Sequence, residues 1–195
     1  VEWVNYPNEE RNLEFKQSVS WKDSDVKAKI TKSILAMANL KDGGQVVIGK
    51  GEQPDRTFKL TGMNQDDFES FDPDAMKDFV KNYADPYVQF SVRKYVAGGK
   101  NFILIKVEEF DTLPIICKKS CGETLQCGQM YTRSRGKPES IQIPTQTEMR
   151  EIVSMAVEKE MRHFFERMSR AGLIPSIPSE PSDSKLFDKE LEGLL

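Results

Sequence analysis

The spacing of hydrophobic positions changes period several times along the chain, and each change marks an element. In the Asn8 to Ser18 stretch, Leu13 and Phe15 alternate with Glu14 and Lys16, which predicts a strand whose two faces meet different surroundings. Ser24-Asp25 reads as a helix start with acid in the first turn, and Val26, Ile30, Ile34, Met37 and Ala38 then recur at helical spacing. The period breaks over Asn39 to Asp42. Gly43-Gly44 supplies a tight turn, and Val46-Val47-Ile48 predicts a strand covered on both faces. Thr57 to Gly62 completes a hairpin. Asp72-Pro73 opens a second helix, with Met76, Phe79, Val80 and Tyr83 on its apolar face. Val88, Phe90 and Val92 alternate up to Gly98-Gly99, and Phe102 to Val107 returns as the partner strand of a hairpin. Short strands follow near Pro114 and Tyr131. Met149, Ile152, Val153, Ala156, Val157, Phe164, Phe165 and Met168 then form the stripe of a long helix that Gly172 ends, read as core or as a subunit contact. This order predicts an α+β fold with a mixed, mainly antiparallel sheet, helices packed on it and a long C-terminal helix. The organisation predicted is a domain over 1–143, the helix over 144–172, a linker rich in proline and serine over 173–185, and an acidic amphipathic tail over 186–195.

Composition narrows the class. Of 195 residues, 38% are hydrophobic and 30% charged, which suits a globular domain with a solvated surface and an appendage. No apolar run approaches the roughly 18 residues that cross a bilayer, and no signal peptide is visible, so no membrane partner and a cytoplasmic location are expected. The three cysteines, Cys117, Cys121 and Cys127, are an odd number and read as reduced thiols. Their spacing could reach one zinc ion, but a closed site needs a fourth ligand. The only histidine, His163, lies far along the chain on the long helix, so zinc is not expected and His163 reads as structural. Lys50 follows Gly49 with no Ser or Thr after it, so the phosphate loop G-x-x-x-x-G-K-S/T is absent and ATP hydrolysis is not expected. Net charge is −3, unevenly placed: Asp183 to Glu192 is acidic, while Arg93-Lys94, Lys118-Lys119 and Arg133 to Lys137 are basic. A local basic surface, not the whole chain, is what could meet phosphate.

Four segments in order carry a resemblance. They are Leu13-Glu14-Phe15-Lys16-Gln17-Ser18, then Ala36-Met37-Ala38-Asn39 with Gly43-Gly44 and Val46 to Lys50, then Pro114 to Lys119, then Met130-Tyr131-Thr132-Arg133-Ser134. From about Glu9 to Glu139 the chain resembles the Schlafen AlbA-like domain family. The resemblance implies engagement of nucleic acid, RNA or DNA. In the family's nucleases an E-x-x-x-x-E-F-K arrangement supplies two carboxylates, here Glu9 and Glu14, and a third acid follows the next strand. Glu52 takes that place, where Asp is usual. Such a trio implies Mg²⁺ or Mn²⁺ that activates water and neutralises phosphoryl charge, with Lys16 steadying a phosphate oxygen. Glu9, Glu14, Glu52 and Lys16 are then the catalytic set of a metal-dependent endonuclease acting on structured RNA such as tRNA. The alternative is a non-catalytic DNA- or RNA-binding module of a larger defence or regulatory protein. Lys16, Arg93, Lys94, Arg133, Arg135 and Lys137 are the expected phosphate-facing surface. Schlafen cores join two related lobes, so the resemblance also implies a homodimer, or a further domain or partner protein reached through the C-terminal tail. On the carboxylate reading, removing the charge of Glu14 is expected to raise thermal stability by relieving like-charge crowding.

Overall fold

A computed structural model describes residues 6–136, 138–143 and 145–173. Expectations that fall on Lys137, Pro144, the linker beyond Leu173 and the 186–195 tail lie outside the described residues.

The first strand, β1 (Leu13–Lys16), is followed by helix α1 (Ser24–Ala38) and strand β2 (Gly44–Ile48). Asp23 caps α1, its carboxylate accepting from the N–H groups of Asp25 at 2.8 Å and Val26 at 3.3 Å. Because a helix separates them, β1 and β2 run parallel, with Glu14 opposite Val46 and Lys16 opposite Ile48. Next come β3 (Lys50–Glu52) and β4 (Phe58–Leu60), which pair as a hairpin. Helices α2 (Gln65–Ser70) and α3 (Pro73–Lys81) follow, the latter capped by Asp72. A short β5 (Ala84–Asp85) precedes the long hairpin β6 (Phe90–Ala97) and β7 (Lys100–Val107), which turns through Gly98 and Gly99 at φ of 56° and 71°. The remaining elements are β8 (Ile116–Cys117), β9 (Tyr131–Arg133), β10 (Ser140–Gln142) and α4 (Gln146–Arg170). The main sheet has four strands in the order β1-β2-β7-β6, with every pairing after the first antiparallel. The architecture is α+β, as the periodicity predicts.

Strand register divides the sheet into two faces. Val46, Ile48, Ile103 and Ile105 share one face and pack into the large core with Ile34, Ala36 and Met37 of α1. Phe15, Val47, Phe102 and Leu104 form a second cluster on the other face, against Phe58 and Leu60 of the β3–β4 hairpin. The Gly43-Gly44 turn is forced by crowding. A Cβ on Gly43, at φ 70°, would stand 2.1 Å from the Val107 carbonyl oxygen.

Asn39 closes the first helix in a way that spacing does not show. Its amide nitrogen donates to the carbonyls of Ile115 and Tyr131, both at 2.9 Å, and its oxygen accepts from the Ile115 N–H at 2.8 Å. Three satisfied bonds at a side chain 1% exposed bind the end of α1 to the segments that enter β8 and β9.

The chain divides into two compact units, Val1–Ala156 and Val157–Leu195. In the first, Glu148, Ile152 and Met155 form the inward face of α4 at helical spacing, while Met149 and Val153 stay outside, 42% and 50% exposed. The expected stripe is therefore rotated, because Met155 takes the core place that periodicity assigns to Met149 and Val153. In the second unit Val157, Met161, Phe164 and Phe165 are exposed. Among the described residues no helix is long and apolar enough to cross a membrane.

Candidate nucleic-acid interface

Strand β1 is an edge of the main sheet, so its outer N–H groups need partners from outside the sheet. The residues just before it provide them. Glu10 and Leu13 exchange both backbone hydrogen bonds at 3.0 Å, and Glu9 Oε1 accepts from the Phe15 N–H at 2.7 Å. Burial pushes the Glu9 carboxyl above its ordinary range. The Phe15 N–H opposes that shift and the nearby Glu14 charge adds to it.

Glu14 lies on the α1 side of β1 but is 8% exposed. Its Oε2 accepts from Arg133 Nη1 at 3.0 Å, and its Oε1 pairs with Lys16 Nζ at 2.6 Å. Arg133 of β9 is 1% exposed, and its other donors are engaged too: Nε on the Arg11 carbonyl at 3.1 Å and Nη2 on the Glu10 carbonyl at 3.4 Å. Burial pulls the Arg133 guanidinium down from its usual range, and the Glu14 carboxylate opposes that. Arg11 returns the contact, donating from Nε to the Arg133 carbonyl at 2.9 Å and gripping both oxygens of Glu151 at 2.8 Å. That grip, more than any other contact, holds the Glu151 carboxyl below its ordinary range. Arg135 adds a contact to Glu151 at 3.3 Å. The result is a lock of alternating charges that fastens the entry to β1 onto β9 and the start of α4.

The three expected metal ligands do not form a ligand set. Both oxygens of Glu14 are engaged by cations, and one oxygen of Glu9 is committed to a backbone N–H. Glu52 sits exposed on β3 and shares a hollow with Glu9. Among the described residues, no three His, Cys, Asp or Glu side chains gather closely enough to hold a metal ion. A hard divalent ion takes six or more oxygen ligands from carboxylates, carbonyls and water, and this arrangement does not suit one. Of the three cysteines, Cys117 and Cys127 donate to the Lys119 and Lys118 carbonyls at 3.1 and 3.2 Å. His163 faces Glu166 on its own helix at 3.7 Å.

The six expected phosphate-facing residues are dispersed. Arg93 and Lys94 are adjacent on β6, so their side chains leave opposite faces of the sheet, and β6 is the far edge from β1. Lys94 lies over the Phe68 ring, 5.0 Å from its centroid. Arg135 is exposed beside Glu151, and Lys137 lies outside the described residues. Lys16 and Arg133 do border one cleft and both pair with Glu14, but Arg133 is interior whereas the Lys16 side chain is 23% exposed, which leaves Lys16 as the member within reach of a ligand.

That cleft, about 580 Å³, runs between β1, α1 and the β9–β10 hairpin. Periodicity missed two of its lysines. Lys29 and Lys32 are three residues apart on α1, so they stand on one helix face, beside the apolar stripe that holds Ile30 and Ile34. Lys32 also lies over the Tyr131 ring, 5.3 Å from its centroid. Arg133 and Lys16 both answer Glu14. Lys29 and Lys32 line the cleft together with Glu9, Glu123 and Glu139. On the other side of β1 the ammonium of Lys50, only 2% exposed, sits 4.1 Å from the Phe15 ring centroid and donates to the Tyr6 carbonyl. Burial pushes its pKa down.

Sheet, crossover helix and charged edge define an α+β domain with a lysine-bordered cleft beside its parallel edge strand. The chain belongs to the Schlafen, AlbA_2 family, whose family model matches residues 9–142. Two solved structures are similar to it. The DIP2311 protein from Corynebacterium diphtheriae is 14% identical over 68% of this chain and 22% of that chain, with TM-score 0.46. The N-terminal domain of a putative ATP-dependent DNA helicase RecG-related protein from Nitrosomonas europaea is 20% identical over 68% of this chain and 89% of that one, with TM-score 0.43. This chain therefore spans under a quarter of the length of the DIP2311 chain. No curated protein matches the sequence.

Proposed function

We propose that this domain binds nucleic acid along the cleft beside β1 and does not cut it. Family membership points to nucleic acid, and the observation that carries the reading is the convergence of Lys16, Lys29 and Lys32 on one cleft. Lys29 is exposed and Lys16 and Lys32 are partly so, and ammonium groups suit phosphates, which every sequence presents alike. Glu14 and Arg133 serve this function by holding β1 and β9 at a fixed spacing. This is the non-catalytic module of the two readings that the sequence leaves open. The engagement of Glu14 by two cations supports it over the nuclease.

Lys29→Glu with Lys32→Glu tests the proposal in fluorescence anisotropy with labelled RNA and DNA. Affinity should fall by a factor of ten or more, about 1.4 kcal/mol or above, and the dependence of log K on log salt should flatten by about one to two. Unchanged affinity at moderate salt removes the cleft from consideration. Cleavage stimulated by Mn²⁺ and abolished by Glu14→Gln replaces the binding reading with the nuclease. Light scattering on the same samples reports assembly. The exposed Val157, Met161, Phe164 and Phe165 support a second copy covering that face, and a strict monomer with binding intact removes that expectation.

A further inference from the structure

A second hollow, about 460 Å³, opens beside the cleft, between the start of α1 and the β3–β4 hairpin. The two share Glu9, Phe15, Lys16 and Lys29, so those side chains form the sill between them. The hollow differs in chemistry from the cleft. Val19, Val26, Ile30 and Phe58 wall it, and Phe58 packs on Phe15 with ring centroids 5.1 Å apart. Its volume lies in the range of sites that enclose small ligands, roughly 300–1,000 Å³.

We propose that this hollow receives the unpaired base of a single-stranded nucleic acid whose phosphate rests on Lys16 and Lys29. The inference rests on the binding function proposed above and adds which part of the ligand goes where. Charge decides the orientation. Glu52 borders the hollow and not the cleft, so a phosphate is disfavoured in the hollow relative to the lysine sill. A base carries no charge, has two apolar faces and fits between aliphatic and aromatic walls. Its polar edge finds the amide of Gln17 and the carboxylate of Glu52, both at exposed positions. The strand continues into the neighbouring cleft past Lys32, Thr124 and Ser140. The Ser140 hydroxyl oxygen is buried there with no hydrogen-bond partner among the described residues. A base inside a duplex is stacked on both faces and paired along one edge, so its faces cannot be laid against the walls of the hollow. Occupancy therefore demands a single strand or an extruded nucleotide.

The test uses the full chain and three ligands: a short single strand, the same strand carrying abasic sites throughout, and the duplex. Intact single strand should bind at least about fivefold more tightly than the abasic strand, since stacking one base on protein side chains contributes that much or more. Val26→Trp, which fills the hollow, should reduce intact-strand affinity to the abasic level and leave the salt dependence as it was. Equal affinity for intact and abasic strands overturns the inference even if the tryptophan variant fails to fold. Tighter binding to duplex overturns it as well. If those ligands bind alike while Lys29→Glu with Lys32→Glu abolishes binding, the cleft reading stands and the base hollow falls. If no ligand binds, both fall.

Discussion

Replacing Glu14 by Gln separates two accounts of the same carboxylate. In a metal trio the unliganded acids repel one another, and neutralising one raises stability. In the lock, Glu14 compensates a guanidinium that has left water. The side chains of Arg133 and Glu14 are 2% and 10% exposed, so this is a buried pair. Removing one partner of such a pair costs about 3–5 kcal/mol, because the other charge is stranded in low dielectric. The amide keeps the volume and one acceptor for Arg133 Nη1, which places the expected loss near the lower end, about 3 kcal/mol. The lost contact to Lys16, whose side chain is 23% exposed, adds less than about 1 kcal/mol. With a urea m-value of about 2 kcal/mol/M, the unfolding midpoint should fall by about 1.5 M. Adding Arg133→Met to Glu14→Gln removes the stranded charge, and apolar replacement of a whole buried pair is close to neutral. The double variant should therefore recover most of the midpoint. A Glu14→Gln protein as stable as the wild type or more so, or a double variant no better than the single, would refute the lock.

Two further outcomes follow from contacts around the same cleft. Asn39→Ala orphans the Ile115 N–H and the carbonyls of Ile115 and Tyr131, three buried groups, and should cost about 3 kcal/mol in thermal unfolding; a loss under about 1 kcal/mol would show that water replaces the amide. Glu151 has a folded pKa below the unfolded carboxyl value of 4.5, so its stabilising contribution is present above that value and is lost as pH falls through the folded pKa. In a pH series of urea melts Glu151→Gln should be less stable than wild type at neutral pH and converge with it in acid, and a constant gap would sever the link to ionisation.

What could be read from the chain is what neighbouring residues decide. Alternation located β1, the apolar repeat located α1, and paired glycines located the turns into β2 and between β6 and β7, because a positive φ is a local demand. Glu14 was legible as a significant acid but not as to its role. Its partner Arg133 is 119 positions away, and only the docking of β9 against the edge strand buries the two together. The surface of Arg93 and Lys94 was open to correction from sequence, since adjacent strand residues face opposite ways. Lys29 and Lys32 left a signal too. They are the polar residues that flank the α1 stripe, and a β-α-β unit places one flank of its helix beside the edge strand.

The sealed edge bears on how the cleft can recognise anything. An open edge strand invites strand addition, in which a ligand's backbone pairs with N–H and C=O groups. Here the Phe15 N–H is taken by the Glu9 carboxylate and Leu13 is paired with Glu10, so β1 offers an incoming chain no ladder at those positions. Recognition is left to side chains that project past the edge. Those on α1 and at the end of β1 are lysines, which follow phosphates without reading sequence. Those around the adjoining hollow are short, branched or aromatic and held in the core packing of α1 or against Phe15. A charged sill beside a hollow with aliphatic and aromatic walls tolerates many sequences while selecting strandedness. It does so because ordering lysines on phosphate costs each ligand alike, whereas filling the hollow is open only to a base that has left its stack.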